Sequence, residues 1–142
     1  LIYLPIDEPL DLTKIVAASR QADAAIDALE AGHYDVAITL AGAAEGMLPE
    51  GDNQTLFAVM RDNSKAHEVF DRKDWLSVLN MERDWLKHLT PNWPDTLYLE
   101  LDDAAFMVAR AISKIPVWSD RMVAFKEWYM SNLRLRGAPR KS

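Results

Sequence analysis

Cysteine is absent from this chain of 142 residues, so no disulfide can staple it and no thiolate can hold a metal or act as a nucleophile. The absence fits a reducing compartment, and a cytoplasmic location is the expectation. No apolar run approaches the ~20 residues that a membrane-spanning helix needs. The opening stretch Leu1 to Leu10 is short and carries Asp7 and Glu8. A soluble protein with no membrane partner is expected. The chain opens at Leu1 rather than at methionine, so a segment lost ahead of it would leave no trace in the sequence.

Positive charge is also scarce: 16 Lys and Arg face 22 Asp and Glu, a formal net charge of −6. Four of the sixteen, Arg134, Arg136, Arg140 and Lys141, crowd the last nine residues, which leaves 12 basic groups against 22 acidic ones, or −10, in residues 1–133. An acidic body disfavours broad binding along a nucleic-acid backbone, because that affinity comes largely from basic groups that release counterions. The tail alone reads as a solvated end.

What the sequence has in quantity is helical periodicity. Leu12, Ile15, Val16, Ser19, Ala22, Ile26 and Leu29 recur at three- and four-residue steps, with Arg20, Asp23, Asp27 and Glu30 off that stripe. Gly32 ends this helix as a C′ residue. A second helix runs from Asp35, whose carboxylate suits an N-terminal turn, to about Leu48 before Pro49. The link Gly32-His33-Tyr34 is short, so the two pack as an antiparallel hairpin. The second helix is apolar nearly all round, the composition of one surrounded by others.

Residues 49–74 read as a long connection, with short helices capped by Asn53 and Ser64. Asp74 caps the next helix, where Trp75, Val78, Leu79, Trp85, Leu86 and Leu89 form one stripe and Pro91 is the stop. After Asn92-Trp93-Pro94-Asp95, a helix from about Thr96 to Lys114 places Leu97, Leu101, Ala104, Val108, Ile112 and Ile115 on one side. Leu97, Leu99 and Leu101 also alternate like a strand, but the helical period continues too long for that reading. A last helix opens at Ser119-Asp120, buries Met122, Phe125, Trp128, Tyr129 and Leu133, and ends at Gly137 and Pro139. The first hairpin has the flavour of a single tetratricopeptide unit, but no repeat follows.

These elements give an all-α bundle of about five to six helices. At this length about 68–70% of the unfolded surface can be buried, so one domain suffices. Residues 1–11 read as an N-terminal extension, 12–135 as the bundle and 136–142 as the basic tail.

One constellation could carry chemistry. The Trp75 helix ends in Arg83-Asp84-Trp85-Leu86-Lys87-His88, an arginine and a histidine separated by four residues. With the turn Glu30-Ala-Gly-His-Tyr-Asp-Val-Ala-Ile38 and the run Ala43-Ala-Glu-Gly-Met-Leu48, this resembles the HEPN superfamily of small helical bundles over residues 12–115. The resemblance implies a homodimer that binds RNA and, in many members, cleaves it without metal; other members are binding modules only. It implies that His88 assists proton transfer at the ribose 2′-hydroxyl, that Arg83 stabilises charge on the phosphate, and that Asp84 positions one of them. The residue types suit this, since histidine titrates near working pH and arginine offers paired donors to phosphate oxygens. No cofactor or metal is called for.

Three readings stand beside it. Arg61-Asp62-Asn63-Ser64-Lys65-Ala66-His67 repeats the pattern. Five positions along a regular helix rotate a side chain by about 140°, so Arg83 and His88 converge only where the helix ends or distorts. Otherwise Arg83 is a structural ion-pair partner, His88 sits at the negative helix end, and the domain is a non-catalytic module with a protein partner.

Glu45, within the most apolar helix, and Glu82, at the centre of the Trp75 stripe, need a cation across the bundle, a helix end or a bound ion. A di-iron site would need Glu-x-x-His steps on two facing helices, a pair this sequence does not have. The tryptophans read mainly as packing. Trp93, in a proline-flanked turn, reads as exposed and suited to a dimer interface beside His88.

Overall fold

The computed structural model describes residues 8–50, 68 and 71–132, with the backbone alone for 72–75. The caps at Asn53 and Ser64, the Arg61 to His67 repeat of the pattern, the Trp75 side chain and the basic tail lie outside these residues.

Five helices are described: α1 (Lys14–Glu30), α2 (Tyr34–Gly46), α3 (Arg72–Lys87), α4 (Leu101–Ile112) and α5 (Asp120–Ser131). No strand occurs among the described residues, and the chain is an all-α bundle. None of the described helices is long and apolar enough to cross a membrane.

The α1–α2 hairpin forms where the turn sequence directs it. The Thr13 side chain caps α1 by accepting from the Val16 amide at 3.2 Å. At the other end Gly32 adopts φ +80°, its amide donates to Leu29 O at 3.1 Å and the His33 amide to Ala28 O at 2.9 Å. These are the two bonds of a Schellman motif with glycine at C′. The chain reverses there and enters α2 at Tyr34.

The core lies where α1, α2 and α4 meet, with α3 docked on α2 and α5 on α1 and α4. It is built largely from alanine: Ala18, Ala22 and Ala25 of α1, Ala37, Ala41 and Ala44 of α2, and Ala104 and Ala111 of α4 are all buried. Side chains this small let backbones approach closely, so the larger Ile26, Ile38, Met107, Val108 and Ile112 fill the space between them.

The buried face of α1 is shifted from the one expected. Ala18, Ala22, Ala25 and Leu29 face inward, whereas Leu12, Ile15 and Val16 are exposed. Packing of alanine against α2 outweighs the larger apolar side chains of the first turn.

The fourth helix starts later than its periodicity predicts. Residues 97–100 are not helical; Glu100 is extended, and the Asp103 carboxylate accepts from its amide at 2.9 Å. That is the reciprocal half of a capping box, and it fixes the start at Leu101. From Ala104 to Ile112 every residue of α4 is buried. The surrounded helix is therefore α4, while α2 leaves Val36, Thr39 and Ala43 open to solvent.

Two other ends differ from expectation. Helix α3 begins at Arg72, so Asp74 lies inside its first turn. Helix α5 is capped by Ser119, whose hydroxyl accepts from the Met122 amide at 3.2 Å and donates to Asp23 at 2.7 Å. It ends at Ser131 because Asn132 folds back, its side chain donating to Trp128 O at 2.8 Å.

Gly32→Ala is expected to destabilise the protein by about 1–2 kcal/mol, the cost of a Cβ in the left-handed region. Gly46→Ala meets open space on a helix and should gain up to about 1 kcal/mol in helix propensity. Urea unfolding followed by circular dichroism reads both.

Candidate functional site

The sequence puts one carboxylate near the C-terminal end of the apolar helix α2, and the fold brings two arginines to it. Arg110 of α4 is 0% exposed and Glu45 is 3% exposed. Arg110 Nε donates to Glu45 Oε2 at 2.8 Å and Nη2 to Oε1 at 2.7 Å, a bidentate pair. The remaining donors reach α3: Nη1 meets Leu79 O at 2.7 Å and Nη2 meets Asn80 Oδ1 at 2.9 Å. The guanidinium also lies 5.8 Å from the centre of the Phe106 ring.

Arg83 of α3 approaches the same carboxylate from the rim. Its Nη1 stands 3.4 Å from Glu45 Oε1, while Nε and Nη2 donate to Asp84 Oδ1 at 3.2 and 3.1 Å. Its stem crosses α2 at Gly42, where an added Cβ would stand 3.0 Å from Arg83 Cγ. Glycine serves close approach here rather than backbone conformation, for a Cβ would press on the Arg83 stem. Two cations and two carboxylates thus form one chain, Arg110, Glu45, Arg83, Asp84, running from the core to the surface.

Lys114, just beyond α4, finishes the C-terminal end of α2. Its Nζ donates to Glu45 O and Leu48 O, each at 3.1 Å, and pairs with Glu50 at 3.2 Å. A cation at the last carbonyls of a helix satisfies orphan acceptors and meets the negative end of the dipole.

Of the residues singled out from sequence, Arg83 and Asp84 are joined to each other and both half-buried. His88 is exposed, one residue past α3. Helical bonding runs without a break between Arg83 and His88, for the His88 amide still donates to Asp84 O at 2.9 Å. No hydrogen bond joins the Arg83 and His88 side chains. Glu82 is buried on α3, as its place in the stripe predicts.

Trp93 is half-buried rather than exposed, in the turn that Trp85 ties to α3 through Nε1 to Pro94 O at 2.9 Å. The exposed apolar residue beside His88 is Leu89, at 93%. Trp118 donates to Ile112 O at 2.8 Å and is covered by Lys126 at 5.6 Å, which fits packing rather than base stacking. Among the described residues no group of three or more His, Asp or Glu is placed to hold a metal ion.

Sequence reasoning missed Arg110, the largest fully buried side chain among the described residues. The signal was available, since Met107-Val108-Ala109-Arg110-Ala111-Ile112 holds a charge inside an apolar run as Glu45 does in α2. Two opposite charges in two apolar helices should be paired with each other first.

No family model, curated protein or solved structure matches this chain. The likeness to HEPN bundles therefore rests on the helical hairpin and the Arg83, Asp84, His88 spacing alone.

Removing one partner of the buried pair strands the other. Glu45→Leu is expected to cost about 3–5 kcal/mol in stability, and Glu45→Leu with Arg110→Met to recover most of that loss. Arg83→Met, at a side chain 29% exposed, should cost under about 1 kcal/mol. A double-mutant cycle in urea measures all three.

Proposed function

We propose that this chain is a non-catalytic helical interaction domain in which Arg83 serves the fold and His88 is a surface residue. The observation that carries this reading is the engagement of Arg83. A guanidinium that already faces Glu45 and Asp84 has most of its charge compensated locally, and a phosphate would have to compete with both carboxylates. The unbroken helix between Arg83 and His88 supports it too, because regular geometry turns the two side chains about 140° apart. The acidic body supports it a third time: at −10 over residues 1–133 it repels rather than steers a polyanion.

A second reading, a HEPN-like metal-independent endoribonuclease acting as a homodimer, is favoured by one specific observation. Asp84 holds Arg83 through two hydrogen bonds, the positioning role that the resemblance assigns it, and the His88 imidazole is exposed to an incoming substrate. On that reading His88 takes the 2′-hydroxyl proton, the ribose oxygen attacks the adjacent phosphorus, the P–O5′ bond breaks with the 5′-oxygen taking a proton from water, and Arg83 stabilises the phosphorane charge. The products carry a 2′,3′-cyclic phosphate and a 5′-hydroxyl.

Purified protein incubated with mixed-sequence RNA in excess EDTA, beside an equally folded His88→Ala variant, separates the two. We expect no cleavage by either. Cyclic-phosphate ends produced by the parent and lost in His88→Ala would overturn the interaction reading in favour of the nuclease.

A further inference from the structure

A groove of about 530 Å³ opens between α1, the start of α4 and α5, on a different face from the Glu45 network. That volume is within the ~300–1,000 Å³ of ligand pockets. Its floor is apolar: Ile26 and Leu29 of α1, Leu101 of α4, and Phe125 with Trp128 of α5. Phe125 and Trp128 lie 5.9 Å apart between ring centres, and Phe125 stacks on Tyr129 at 5.6 Å, so the aromatic wall is braced from behind. Trp128 is nevertheless 39% exposed, and Val123 and Met130 of the same helix are open to solvent.

The rim is acidic. Glu30 and Asp120 line the groove, Asp27 stands beside it, and Arg121 is the one base among them. Arg121 is paired with both Asp27 and Glu30, the latter at 3.2 Å. The hydrogen bond that Arg121 donates to Glu30, offset in part by desolvation, raises its pKa above the ordinary arginine value. Three carboxylates against one guanidinium leave a net charge of about −2 around an apolar floor.

We infer that this groove binds an amphipathic helix of a partner protein, its large apolar side chains seated on Leu29, Phe125 and Trp128 and its lysines or arginines facing Asp27, Glu30 and Asp120. Elongated apolar grooves take such helices through anchors at i, i+4 and i+7, and charge at the rim sets the partner and the on-rate. The inference rests on the interaction reading and names the surface that performs it.

The test uses the full chain and a helical peptide of about 15 residues, near the length at which an isolated helix becomes marginally stable. It carries leucines at i, i+4 and i+7 with lysines on the flanks. A second peptide replaces each lysine with glutamate, and a third scrambles the order. Titration at low and at high salt reads affinity by fluorescence anisotropy.

We expect the lysine peptide to bind at least about tenfold more tightly than either control, with the gap narrowing as salt rises. Ala124→Arg, which fills the groove from the exposed side of α5, should weaken it about tenfold or more, whereas Glu127→Arg, on the same helix outside the groove, should change it less than about threefold.

Equal affinity for the lysine and glutamate peptides, or no binding by any, overturns the inference. So does an equal loss in Ala124→Arg and Glu127→Arg, which would mark unspecific attraction to the acidic body. A parent chain that self-associates and becomes monomeric on Ala124→Arg would give the groove to a second copy instead. Any of these failures without RNA cleavage leaves the interaction reading with another surface. Cleavage lost in His88→Ala removes that reading whatever the peptides do.

Discussion

A carboxylate and a guanidinium taken out of water each forfeit several kcal/mol of hydration, and only close pairing with full hydrogen bonding offsets it. Glu45 and Arg110 meet that condition across α2 and α4, and the rest of the bundle is arranged around them. Arg110 must project from a helix buried on every side from Ala104 to Ile112, so α4 can occupy only the middle of the bundle. Its spare donors need acceptors at that depth. The Leu79 carbonyl and the Asn80 amide supply them, and this fixes the height and rotation of α3 against α4. Lys114 then closes the end of α2 with the backbone carbonyl of the same residue, Glu45. Three helices thereby meet at one buried ion pair, Glu45 of α2 with Arg110 of α4, whose spare donors bond α3.

Arg83 takes its meaning from that centre. Glu45 Oε1 already accepts a 2.7 Å bond from Arg110, and Arg83 adds a longer one at 3.4 Å. The second arginine is therefore secondary to the pair, held more closely by its neighbour Asp84 than by the core. Gly42 admits its stem without strain. Arg83, which the resemblance makes half of a catalytic pair, is in the fold the outer link of a charge network that reaches the core. The same geometry explains why His88 stands apart: the helix that carries Arg83 toward α2 continues unbroken and carries His88 away.

Much of the architecture was legible because local rules dictate it. Gly32, the short turn after it and the apolar composition of α2 specify the hairpin, and Ser119 announces α5. What was not legible depended on contacts distant in sequence. Of the α1 stripe, Ala22, Ile26 and Leu29 are buried as their spacing predicts, but Leu12, Ile15 and Val16 are exposed, and close backbone approach adds Ala18 and Ala25 to the buried set instead. The start of α4 follows the reciprocal cap from Asp103 to the Glu100 amide, which overrides the leucine periodicity ahead of it. Glu45 was recognisable as a charge in need of a partner. Its partner, Arg110, is 65 residues away, and nothing local to either helix says that the two charges face each other.

The arrangement of charge separates inside from outside. Arg110, Arg83 and Lys114 each meet a carboxylate, and the Glu45, Arg110, Arg83, Asp84 chain sums to zero. Residues 1–133 carry a surplus of ten acidic groups, and charge that reaches the surface acts over about 10 Å at 0.1 M salt. Such a field slows the approach of RNA to any face of the bundle and speeds the approach of a basic surface. The groove between α1 and α5 combines an apolar floor with an acidic rim. For the partner helix proposed above, electrostatics would choose the sign, and the aromatic wall of Phe125, Trp128 and Tyr129 would supply the area on which it gains affinity at low entropic cost.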